Sequence, residues 1–79
     1  MAIAYVLINA KVGQEYNIRA ELEIVEGVED VTLVYGVYDV IARIQKPNLE
    51  EIKSLILSKI RKSPYVTSTI TLVAIEELE

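Results

Sequence analysis

The sequence predicts an α+β fold in which a four-stranded antiparallel sheet carries two helices on one face. Three observations point to it. The apolar period alternates between two and about 3.6 residues in the order βαββαβ. Gly and Pro stand at the points where the period changes. The chain also divides into two β-α-β halves of similar length.

The first strand is expected from Ala2 to Ala10, with Ile3, Tyr5 and Leu7 on one face and Ala4, Val6 and Ile8 on the other. Apolar residues on both faces predict a strand covered on both sides. Gly13 breaks the pattern. From Gln14 to about Val25, Ile18, Leu22 and Val25 follow i, i+4, i+7 among charged neighbours, which predicts a helix that stops before Gly27. A second strand is expected from Val28 or Glu29 to Tyr35 and a third from Tyr38 to Gln45, joined as a hairpin through Gly36-Val37. Pro47 ends the third strand. Asn48 and Glu51 form a capping-box pattern, and Leu49, Ile52, Leu55, Ile56, Lys59 and Ile60 trace one stripe of a second helix. Ser63-Pro64 stops that helix, and β-branched residues predict a fourth strand from Val66 to Ile75. The arrangement is ferredoxin-like. One face of its sheet has no helix over it, and the apolar pattern there predicts a partner: the same face of a second subunit.

Composition narrows the function. In 79 residues, 52% are apolar, more than a domain this small can hide by itself, so self-association is expected. There is no Cys, His or Trp. That removes thiolate and imidazole chemistry and the usual ligands of zinc and haem, and no paired carboxylates are placed for acid–base work. The expectation is a binding protein with no catalytic residue, no metal and no cofactor. Twelve acidic residues against eight basic ones, a net charge of −4, disfavour direct contact with nucleic acid or an anionic membrane. The basic cluster Lys59, Arg61 and Lys62 falls in a last helical turn, where cations complement the macrodipole. No apolar run reaches the ~20 residues of a membrane span and no leader pattern is read at Met1, so a cytoplasmic protein is expected.

Two segments invite a functional reading. One is the hairpin Tyr35-Gly36-Val37-Tyr38-Asp39; the other is the strand Val66-Thr67-Ser68-Thr69-Ile70-Thr71, which runs on towards Glu76-Glu77. In the plainer reading Gly36 permits the turn, Asp39 bonds the loop backbone, and the Thr residues favour a strand. Together, in this order and inside a βαββαβ pattern, they resemble the effector-binding domain of the leucine-responsive/asparagine regulator (Lrp/AsnC) family, the RAM domain of amino-acid metabolism. Tyr65 departs from that pattern, standing where the family often has Gly before the Val. Met1 stands immediately before the first strand, so the resemblance is to stand-alone RAM proteins without a DNA-binding helix-turn-helix.

The resemblance implies a sheet-to-sheet dimer, and dimers assembling into an octamer or decamer. It implies an amino-acid effector bound between dimers by Tyr35, Gly36, Val37, Tyr38 and Asp39, with Thr69 and Thr71 lining the same cleft. Full-length Lrp/AsnC regulators are implied as partners. Two other readings share the strand order: an ACT-type amino-acid sensor and an oligomeric adaptor without a ligand. A third, a haem-degrading or monooxygenase barrel, is disfavoured by the missing His.

Overall fold

A computed structural model describes residues 1–75. Strand β1 (Ala2–Ala10) is followed by helix α1 (Glu15–Glu23), strands β2 (Val28–Leu33) and β3 (Val40–Lys46), helix α2 (Leu49–Leu55) with a π-helical turn (Ile56–Ile60), and strand β4 (Val66–Val73). The sheet order is β2-β3-β1-β4, antiparallel throughout. The order βαββαβ and the ferredoxin-like arrangement are those expected.

The two faces of the sheet separate as the alternation requires. Ala4, Val6 and Ile8 of β1 and Val40, Ala42 and Ile44 of β3 are buried under the helices. Ile18 and Leu22 of α1 and Ile52, Leu55, Ile56 and Ile60 of the second helical segment close this core from above. Burying each such side chain stabilises the fold by about 1.5–3 kcal/mol before conformational entropy is counted. Helix α1 packs over β2 and β3, and α2 over β1 and β3. The opposite face carries Tyr5, Leu7, Ile41 and Arg43, with Ile70 47% and Leu72 53% exposed, whereas Ile3 is 4% exposed. Arg43 Nε donates to Tyr5 Oη at 3.4 Å across this face.

Element ends differ from the sequence reading where backbone hydrogen bonds leave the ladder. Helix α1 runs from Glu15 to Glu23, not from Gln14 to Val25, because Ile24 and Val25 both donate to Leu22 O in a tight final turn. Gly27 lies beyond that turn at φ +101, where a Cβ would meet Lys46 Cδ at 2.7 Å. The β2–β3 connection is six residues, Val34 to Asp39, longer than the hairpin expected through Gly36-Val37. Asp39 closes that connection: its N–H donates to Ile8 O of β1 and its carbonyl accepts from Val34 N, and β3 starts at Val40, two residues later than expected. The second helix begins as expected, with Glu51 N donating to Asn48 Oδ1 at 3.0 Å. Glu51's side chain turns to Lys46 Nζ (3.9 Å). The helix then widens into the π turn, closed by Arg61 N donating to Ile56 O. Strand β4 ends at Val73, two residues short of Ile75, and Glu76-Glu77 lies outside the described residues.

Candidate functional site

One pole of the sheet gathers the end of β1, the β2–β3 hairpin and the start of β4. Val40 lies opposite Ile8, and Val66 opposite Ala10, so the predicted hairpin and the first residues of β4 flank the same end of β1. Within the hairpin, Tyr35 is fully exposed and Val37 is 84% exposed, while Tyr38 and Asp39 are half-buried. Gly36 has φ +151, a conformation that side-chain-bearing residues rarely adopt, and no atom lies within 4 Å of where its Cβ would be. The tip is open and its conformation depends on glycine.

The base of the hairpin is fastened. Asp39 Oδ2 accepts from Ala10 N at 2.8 Å, and Asp39 N donates to Ile8 O at 3.0 Å. The carboxylate therefore holds β1, not the backbone of its own loop as the plainer reading had it, and it ties the hairpin to the middle of the sheet. On the other side of β1, Thr67 Oγ1 donates to Asn9 O and Asn9 Nδ2 to Ser68 Oγ, both at 3.1 Å. Lys11 N donates to Tyr65 O at 2.8 Å, so the Tyr65 position forms part of the turn into β4.

Thr69 lies opposite Ile8, the residue whose carbonyl receives Asp39 N–H. One strand separates the two, about 10 Å for two strand spacings. Thr71 lies opposite Val6, farther from the hairpin, and lines a groove between β4 and α2. The structure thus brings Tyr35 to Asp39 and Thr69 to one pole and sets Thr71 apart. Val12, 99% exposed in the β1–α1 turn beside Gly13 at φ +79, stands at this pole too. Sequence reasoning passed over it, although an apolar residue between Lys11 and Gly13 at the tip of a turn was a visible signal.

A larger groove, about 720 Å³, runs between the two helices, lined by acidic, basic and apolar residues including Glu21, Glu26, Lys59 and Lys62. Among the described residues no group of three His, Cys, Asp or Glu side chains converges, and no buried side-chain nitrogen or oxygen lacks a hydrogen bond. No helix is long and apolar enough to cross a membrane.

Residues 3–79 match the family model of the Lrp/AsnC ligand binding domain. The chain belongs to this family. Several solved structures resemble this Lrp/AsnC domain. The hypothetical protein PHS023 from Pyrococcus horikoshii is 32% identical, with TM-score 0.91 over 98% of this chain and 93% of that one. E. coli AsnC is 18% identical, with TM-score 0.89 over 96% of this chain but only 52% of that one. The transcriptional regulator NMB0573 from Neisseria meningitidis, solved as an L-Met complex, is 10% identical, with TM-score 0.87 over 99% of this chain and 52% of that one. No curated protein matches. The Lrp/AsnC domain is a regulatory ligand-binding domain, and transcriptional regulators are among the proteins that share its structure.

Proposed function

We propose that this chain binds an amino acid between associated copies of itself and acts in the transcriptional regulation of amino-acid metabolism, with no catalytic role. The hairpin carries the reading: an exposed tip, Tyr35 to Val37, on a base that Asp39 clamps to β1. Exposed aromatic and apolar side chains on a fixed loop suit a contact surface. At Gly36 a ligand carboxylate can approach backbone N–H groups without meeting a side chain. The oxygen of Asp39 not bonded to Ala10 N offers a counter-charge for an ammonium group. A hairpin alone cannot enclose a ligand, since binding sites cover most of a ligand's surface. A second copy would supply the other wall, which couples ligand binding to assembly into an octamer or decamer. Tyr35, Gly36, Val37, Tyr38, Asp39 and Thr69 form this chain's share of the site, with Thr71 at its far margin. Full-length Lrp/AsnC regulators are the proposed macromolecular partners, in a cytoplasmic setting. The L-Met bound to NMB0573 supports an amino acid as the ligand class.

The test is a thermal shift screen of the twenty amino acids, followed by calorimetry with whichever raises the melting temperature. Asp39→Asn keeps an acceptor for Ala10 N–H but removes the charge, so affinity should fall about ten- to hundred-fold. Unchanged affinity would remove Asp39 from the site. If no amino acid binds the wild type at millimolar concentration, a ligand-free adaptor becomes the better reading.

A further inference from the structure

The helix-free face of the sheet is divided in two. Its β1 and β4 half is apolar: Leu72 lies opposite Tyr5 and Ile70 opposite Leu7, and Ile70 and Leu72 are each about half exposed. Its β3 and β2 half carries charge. Arg43 lies opposite Tyr5 on one side and opposite Asp30 on the other. Asp30, Arg43, Tyr5 and Leu72 therefore form one row across all four strands. Thr32, Ile41, Leu7 and Ile70 form the row beside it.

The charged row is held in place. Arg43 Nε donates to Tyr5 Oη at 3.4 Å, and Thr32 Oγ1 donates to Asp30 Oδ2 at 2.6 Å. Side chains directly opposite on antiparallel strands have Cβ atoms about 4.5–5.5 Å apart, which puts the guanidinium within reach of the carboxylate. Arg43 is half-buried on the inner strand β3, whereas Asp30 is exposed on the edge strand β2.

Size decides what becomes of this row when copies associate. Principal extents of 34 and 24 Å bound the face at about 800 Å², the area each partner gives to a stable interface of standard size. The apolar half alone falls short of that, so a stable contact has to cover Asp30 and Arg43 as well. A covered guanidinium is tolerated when a carboxylate stays beside it, and is strongly unfavourable when that carboxylate is removed. With one acid and one base, the row has no net charge, and two copies of the face meet without repulsion.

We infer that the helix-free face takes a second copy of this chain and that Asp30 and Arg43 are its specificity-determining pair: copies associate only while the pair is complete. The inference rests on the association of copies proposed above and adds a condition to it. Apolar contact alone would make any loss of charge from the face strengthen association. The pair reverses that sign at Asp30, because its loss leaves Arg43 covered and uncompensated.

The experiment is light scattering of the full-length protein as a function of concentration, with circular dichroism of each variant to check the fold. Asp30→Asn keeps an acceptor for Thr32 Oγ1 and removes the counter-charge, so association should weaken about ten- to hundred-fold. Arg43→Met takes the charge from an inner strand and leaves Asp30 at the sheet edge, nearer water, so its loss should be smaller. The double variant Asp30→Asn/Arg43→Met should associate as tightly as the wild type or more tightly, since no uncompensated charge remains. The inference is overturned if Asp30→Asn associates as well as the wild type or better, or if the double variant is no better than Asp30→Asn. Either result leaves association between copies standing. A wild type that stays monomeric at micromolar concentration overturns both.

Discussion

Asp39 shows how one side chain can serve the fold and a site together. Its Oδ2 accepts from Ala10 N while its backbone N–H donates to Ile8 O, so both ends of the residue grip β1. Replacing it by Ala strands the Ala10 N–H at a half-buried position, and a loss of about 1–3 kcal/mol is expected. Asp39→Asn keeps an acceptor and should lose less than half as much. Urea denaturation of the two variants separates them, and equal stability would mean that water replaces the carboxylate without loss. From the sequence, a turn role for Asp39 was legible, because Asp is common in turns and Gly36 stands three residues before it. That its partner is Ala10 was not, since 29 positions separate them and only the sheet order brings them together. Gly36 was legible for a similar local reason. Val12 was passed over although its place between Lys11 and Gly13 marked a turn tip; the tertiary fold adds that nothing covers it.

At the scale of elements, local signals were read well and element ends less well. The Asn48 half of the capping box was legible, as Glu51 N–H finds Asn48 Oδ1, whereas the Glu51 carboxylate turns to Lys46 and not back to Asn48. Asn48→Ala should lower stability by about 0.5–2 kcal/mol, measured as a lower melting temperature with an unchanged circular dichroism spectrum. A change below that range would show that the helix is held by Ile52, Leu55, Ile56 and Ile60 alone. The stripe these residues form was anticipated, but the π turn beneath it was not. Period counting registers which residues are apolar, not how the helix widens to seat Ile56 and Ile60 in the same core. Leu49 and Lys59, assigned to the stripe, are exposed. The missing residues at the ends of β2, β3 and β4 have one cause: a β-branched or aromatic side chain favours extended backbone, whereas the ladder needs a partner strand within reach.

For the whole molecule, the helix-free face holds Tyr5, Leu7, Ile41, Ile70 and Leu72, and Ile70 and Leu72 are each about half exposed. The full-length protein should therefore run as a dimer or larger in light scattering at micromolar concentration, and Leu72→Glu should shift it towards monomer while leaving its secondary structure intact. A wild-type monomer would remove the basis for a shared ligand site. The order β2-β3-β1-β4 has another consequence. Every ladder joins the first β-α-β half to the second: β1 with β3, β1 with β4, β2 with β3. Neither half contains a strand pair of its own, and Ala2 meets Lys46 across 44 positions of chain. A partly folded half would leave all its strand hydrogen bonds to water, so the chain has no natural halfway state and its cooperativity is built into the weave. The hairpin around Gly36 is the one covalent link between two interleaved pieces that hold each other in place.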